Sequence, residues 1–265
     1  MSQPRIDFNG HAIRYSNNYL YGEDPYNPLR LPPFTMRIQL SSGAQLPSLY
    51  PPPYMVCVDQ TENIWDITPV ATGPGVGEVT YLTEWKSGTF PSLSITKILG
   101  ANSTGVTNMY GMMENRQLLS EVALFDTSSV TNFGYMFASC TSVTQFPTFD
   151  MSSGISAGGM FSGCWFETAP DLDTSHIQYM SAMFDNCRIK HVPLYSTASA
   201  VDTVYMFRNC RDVESGIVDL YNQSSSQAVP PAEHGGMFYN CGIDTVSGQA
   251  ELDQIPADWK NYVEI

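Results

Sequence analysis

The chain has 265 residues, with 12 Lys and Arg against 26 Asp and Glu, a formal net charge of −14, and 43% hydrophobic residues. That length accommodates a sizeable core, and the acidic balance repels phosphate backbones and anionic bilayers, which argues against nucleic acid and membrane as partners. The opening MSQPRIDFNGHAIRYSNNY holds no apolar run of seven, and no later segment approaches the roughly 20 apolar residues that span a bilayer; the expectation is neither export by the usual route nor a membrane span.

Residues 1–95 hold most of the prolines and many tyrosines and do not repeat. Closely spaced prolines oppose both helix and central strand, so Tyr19 to Pro33 reads as an extended arm. Strands are expected at Thr35 to Leu40 and Tyr54 to Asp59, then at Ile64 to Val70 and Glu78 to Thr83, which makes a small, mostly β domain. Ile95 to Leu99 reads as the first strand of the repeat region.

From residue 96 to 250 the chain repeats. Met-Phe-x-x-Cys occurs at Met136 to Cys140, Met160 to Cys164, Met183 to Cys187, Met206 to Cys210 and Met237 to Cys241, in steps of 24, 23, 23 and 31 residues. A decayed copy begins at Met112, with Arg116 in place of the cysteine. Ten residues before each Met stand Asn102, Asp126, Asp150, Asp173 and Ser196, and Asn222 precedes Met237 by fifteen. All six belong to the set that caps helix N-termini, so a helix is expected to start at each. Ser139, Gly163, Asn186, Asn209 and Asn240, just before the cysteines, suit a left-handed turn that would end it. Val130, Phe133 and Phe137, or Ile177, Met180 and Phe184, have the spacing of one buried helical stripe.

After each cysteine, Val143 to Phe149, Phe166 to Leu172, Ile189 to Tyr195 and Val213 to Tyr221 read as strands. The expected architecture is α/β: about six strand-turn-helix units stacked as a leucine-rich-repeat-like solenoid, because no single unit can bury its own apolar stripe. Residues 251–265, with Trp259 and Tyr262, are expected to cap its far end.

The strings FDTSSVTNFGYMFASC, LDTSHIQYMSAMFDNC and YMFRNC resemble the bacterial surface-antigen, or BspA-like, leucine-rich repeats of gut and oral bacteria and their phages. DPYNPLRLPPFTMRIQL, from Asp24, is similar to regions that precede such repeats in gut-phage or Bacteroidetes proteins. The resemblance covers about 150 residues; it implies a horseshoe-like fold and a role in adhesion to protein or glycan, and it implies no catalytic residues. Two departures stand out: the first unit lacks its cysteine, and the last carries the insertion Gln223 to Gly235.

The sites are weighed against plainer roles. Cys140, Cys164, Cys187, Cys210 and Cys241 occupy one repeating position and read as a ladder of buried free thiols, since parallel side-chain vectors suit disulfides poorly; Cys57 reads as core. His11, His176, His191 and His234 share no metal-ligand spacing. A calcium ladder on Asp126, Asp150 and Asp173 is disfavoured because Ser196 and Asn222 continue the row without charge. No nucleophile elbow, phosphate loop or His/Asp pairing is visible, so neither enzyme activity nor a cofactor is expected.

Binding residues are sought where the units differ: Trp165, Glu167, Tyr179, Lys190, His191, Tyr205, Glu214 and His234, together with the inserted loop. The expected function is non-enzymatic: a phage virion component (fibre, head decoration or tail appendage) presenting the repeats to a host surface, with the N-terminal region docked on other virion proteins. The alternative is a bacterial cell-surface adhesin that binds host protein or glycan. Homo-oligomerisation is left open.

Overall fold

A computed structural model describes residues 31, 34–42, 54–59, 63–68, 70–72, 79–81, 83–90 and 94–261. The expected arm from Tyr19 to Pro33 (Leu31 apart), His11 and Tyr262 lie outside these residues.

The N-terminal strands are β1 (Thr35–Leu40), β2 (Tyr54–Asp59), β3 (Ile64–Thr68), β4 (Val70–Thr72), β5 (Val79–Tyr81) and β6 (Ile95–Asn102). The expected strand from Ile64 to Val70 is thus two, with Pro69, which has no amide to donate, between them. Four antiparallel strands lie in the order β2-β3-β1-β6, and the two-residue β7 (Glu121–Val122) extends the sheet in parallel beyond β6. Strand β6 therefore belongs both to this sheet and to the start of the repeats.

In β1 the alternation of Met36, Ile38 and Leu40 places three apolar side chains on one face, all buried in the main core. The opposite face is buried too. There Arg37 stands across from Asp66 of β3 and donates two hydrogen bonds to its carboxylate, at 2.7 and 3.0 Å, while the hydroxyls of Thr35 and Thr68 share a hydrogen bond of 2.6 Å.

The repeats are periodic in Met, Phe and Cys, yet they hold little regular secondary structure. The helix expected in each unit is absent because two residues per unit are left-handed. One precedes the Met: Gly111, Tyr135, Gly159, Ala182, Tyr205 and Gly236 have φ between 52° and 63°. The other precedes the Cys or its equivalent: Asn115, Ser139, Gly163, Asn186, Asn209 and Asn240 have φ between 56° and 73°. An α-helix cannot continue through such residues, and the segment becomes a spiral of turns. Ser139 and its equivalents do turn left-handed, as their composition suggests; the second left-handed site was not anticipated.

Backbone donors in this spiral alternate between two destinations. Within a unit, Met136, Ala138 and Cys140 donate to Phe133, Tyr135 and Phe137, three residues back. The amides between them, of Phe133, Tyr135, Phe137 and Ser139, donate to Ser156, Gly158, Met160 and Ser162 of the next unit, at 2.7–2.9 Å. The pattern recurs from Phe161 to Met183, Phe184 to Met206 and Phe207 to Met237, so the buried donors are satisfied. Parallel bridges link Glu84, Asn108, Asn132, Ser156, Tyr179, Asp202 and Glu233, each to the next. Bonds that close every third residue also explain why the apolar spacing looks helical.

The cap assignments are corrected with the helices. Asp126, Asp150 and Asp173 each accept from the amide two residues on, that of Ser128, Ser152 and Ser175, at 2.9–3.0 Å, and Ser196 accepts from Ala198 at 3.4 Å. These are side-chain turns, for which Asp and Ser are as well suited as for caps. Asn102 is the last residue of β6 and donates to the Leu31 carbonyl, while Asn222 lies inside a helix, α1 (Ile217–Ser225).

The expected strands after the cysteines are likewise not strands. Pro147, Pro170 and Pro193 lie in the first three and remove ladder donors, which confines pairing to single bridges such as His191 to Ser215. The fourth, Val213 to Tyr221, gives way to α1.

Inside, the phenylalanines of successive units stack. Phe137, Phe161, Phe184, Phe207 and Phe238 follow one another at centroid distances of 6.3, 5.5, 5.3 and 6.1 Å, with planes within 13°. At the far end α2 (Val246–Leu252) is capped by the Thr245 hydroxyl, which accepts from the Gly248 amide, and α3 (Ala257–Lys260) carries the buried Trp259. The carbonyls of Asp258 and Trp259 accept from Gly236 and Phe238, taking the place a further unit would have.

Side chains at the left-handed position before Met are also matched between units. The Tyr135 ring lies where a Cβ on Gly159 would come within 2.5 Å of it, and Tyr205 stands in the same relation to Gly236, at 2.6 Å. Ala182, at φ 52°, follows Gly159 and so has no ring over it. Gly159→Ala is therefore expected to cost about 1–2 kcal/mol by displacing the ring. In urea unfolding, Tyr135→Ser should recover part of that loss in the double variant; simple additivity of the two changes would contradict the account.

Candidate functional site

The repeating residues are consumed by the interior. Cys140, Cys164, Cys187 and Cys210 are buried free thiols whose Sγ atoms donate to the carbonyls of Met113, Phe137, Phe161 and Phe184, at 2.9–3.1 Å. Burial raises the Cys164 thiol to about 12 and pushes Cys140, Cys187, Cys210 and Cys241 upward as well. Nucleophiles and metal ligands need the thiolate, so this row suits neither role. In a Cys57→Ser protein, the native chain should leave all five thiols unlabelled by an aromatic disulfide reagent at pH 8 for hours, and label all five in guanidinium. Prompt labelling of the native protein would contradict the burial. Among the described residues no group of three His, Cys, Asp or Glu is placed to hold a metal ion.

The exposed Asp126, Asp150 and Asp173 carboxyls are held below the usual range, first by the hydroxyls and then by the amides of Ser128, Ser152 and Ser175. Each closes a turn by accepting from the amide two residues on.

Of the eight candidate binding residues, five meet on one face. The amide of Lys190 donates to the Glu167 carbonyl and that of Glu214 to the Lys190 carbonyl, so these three residues occupy one position on consecutive units. The Lys190 ammonium lies 3.1 Å from the Glu167 carboxylate; that hydrogen bond, with the charges of Glu167, Glu214 and Asp212, raises the lysine pKa. His191 Nδ1 hydrogen-bonds the Ser215 hydroxyl at 2.9 Å. Trp165 is half exposed, with the Arg188 guanidinium 4.7 Å from the centre of its ring.

Beside this row is a recess of about 390 Å³ between residues 167–172 and 190–195, with Glu167, Lys190 and His191 on its rim. Its walls include Pro170, Pro193 and the exposed Leu194, and its floor is fixed by Tyr195, whose buried hydroxyl donates to the Pro170 carbonyl.

The other three candidates lie elsewhere. Tyr179 is an exposed member of the bridge ladder. Tyr205 is buried, left-handed, and covered by the Arg208 guanidinium at 4.5 Å, so it is packing rather than a free surface. His234 stacks on Trp259 at 4.2 Å and ties Pro231 to Asp258, joining the inserted loop to the C-terminal segment. The loop itself begins within α1, and Gln227 anchors it to the Thr197 hydroxyl.

Sequence reasoning missed Asp171, Arg188 and Leu194. A signal was present: Asp171 and Leu194 each precede a buried residue, Leu172 and Tyr195, at the same repeat position, where an outward side chain follows from alternation.

Comparison with known proteins gives one family. The family described as "Mycoplasma protein of unknown function, DUF285" matches residues 88–220 and 156–242, which together span more than half of the chain. No curated protein and no solved structure matches. The match begins just before β6 and ends just after the last Met-Phe-x-x-Cys, so the repeats are the part the family describes, and the chain belongs to the DUF285 family.

Proposed function

We propose that this chain is a non-enzymatic binding and structural protein whose units wind into a leucine-rich-repeat-type solenoid of the BspA-like kind and meet a partner through the face around Trp165, Glu167, Lys190, His191 and Glu214. One observation carries the reading: the residues that recur are committed to the interior, whereas three that differ, Glu167, Lys190 and His191, line one recess, with Glu214 bonded to Lys190 in the same row. A scaffold that keeps its core and varies its surface is how repeat proteins serve as recognition elements.

The setting we favour is a phage virion, as a fibre, head decoration or tail appendage, with the proline- and tyrosine-rich N-terminal region as the docking part. The acidic, repeat-built surface supports it; the Asp24 segment, similar to regions in gut-phage or Bacteroidetes proteins, fits either setting. A cell-surface adhesin of bacteria is the alternative. Mass-spectrometric identification in purified virions and in host surface fractions tests this. Presence in virions supports the first setting, presence only on intact cells supports the second, and substrate turnover by the purified chain would overturn both.

A further inference from the structure

The recess between residues 167–172 and 190–195 has an uneven charge. Arg188 is held against Trp165 and Lys190 is tied to Glu167. Asp171 and Glu214 are exposed, and neither accepts a hydrogen bond or salt bridge from any described residue. Asp171 therefore lies beside an apolar wall of Pro170, Pro193 and Leu194, Glu214 follows Lys190 one unit further along the row, and among the described residues lining the recess no uncommitted Lys or Arg balances them. Both sides of the recess carry a proline, which leaves little backbone pairing to offer a strand. The volume lies within the roughly 300–1,000 Å³ of ligand clefts, and the −14 chain adds a field that draws cations from a distance.

We propose that this recess docks an extended, basic segment of a partner protein, with its Lys or Arg side chains on Asp171 and Glu214 and its apolar residues against Pro170, Pro193 and Leu194. This rests on the binding-scaffold reading and names the class of partner. Oligosaccharide is disfavoured because no exposed aromatic lines the recess among the described residues, and Trp165, two residues before Glu167, has a ring face already taken by Arg188. Anionic ligands are disfavoured by the Asp171 carboxylate and by that of Glu214 further along the row.

Fluorescence anisotropy on the full chain at physiological salt tests it, using a labelled dodecapeptide that alternates Pro-Leu with Lys, its Glu counterpart, and neutral oligosaccharides as competitors. The Lys peptide should bind, and Asp171→Lys with Glu214→Lys should weaken it roughly tenfold. Reversal of Glu121 and Asp253, exposed acids elsewhere on the chain, should change it less than about twofold, and Lys190→Gln should tighten it. Equal loss from both double reversals would overturn the inference by reducing it to bulk charge. Failure of the Lys peptide to bind would overturn it too. If the Glu peptide or an oligosaccharide then bound in a Trp165-dependent way, the scaffold reading would stand while this inference fell.

Discussion

Phe184→Ala is expected to lower stability by about 3–5 kcal/mol, the range for emptying a buried phenylalanine site. Phe184 lies in the middle of the stack, 5.5 Å from Phe161, 5.3 Å from Phe207 and 5.4 Å from Tyr195, with nearly parallel planes. Neither neighbouring unit can move in to fill the gap, because each is held by its own ladder of backbone bonds to the mutated unit. Phe184→Leu should cost clearly less, since most of the volume remains. Urea unfolding followed by circular dichroism reads both, and a loss below about 1 kcal/mol for the alanine variant would contradict the packing.

Asp66→Ala should be similarly severe, at about 3–5 kcal/mol, for an electrostatic reason. Arg37 and Asp66 are almost fully buried, and removal of the carboxylate leaves a guanidinium without its bidentate partner away from water. The loss is a desolvation cost rather than the value of the pair. Replacing both, as Arg37→Met with Asp66→Leu, should therefore be less damaging than Asp66→Ala alone. A double variant as unstable as the single one would show that the sheet needs the ion pair itself.

Much of this was legible in the sequence, though unevenly. Strands Thr35 to Leu40 and Tyr54 to Asp59 could be read to the residue, the first from its period-2 apolar alternation and the second from a short apolar run that begins just after three prolines. The repeat could be read from Met-Phe-x-x-Cys, and its burial from the apolar character of all three recurring residues. Conformation within the unit could not. A spiral of turns bonded at i to i−3 buries residues at spacings of three and four just as a helix does, and Asp before Ser serves a side-chain turn as readily as a cap. The distinguishing mark was the left-handed site before Met. Gly fills it in three of six units, but Tyr135, Ala182 and Tyr205 fill the others, and those residue types carry no such signal.

The candidate surface shows the same division. Searching where units differ found Trp165, Glu167, Lys190, His191 and Glu214, which the fold brings together. The same search also named Tyr205 and His234, which differ because they fit local packing: one lies against Gly236, the other against Trp259. Variation marks freedom from the scaffold's shared requirement, and both recognition and private packing enjoy that freedom. Only distances separate them.

The core, its stability and the candidate surface all depend on units that pair backbone to backbone in register. Through-hydrogen-bond scalar couplings, measured by nuclear magnetic resonance on the deuterated protein, test this most directly. The structure predicts couplings from the amide nitrogens of Phe137, Phe161 and Phe184 to the carbonyl carbons of Met160, Met183 and Met206. Couplings from those amides to residues four positions back in their own units would mean helices instead, and would contradict the stacked-turn account and the surface built on it.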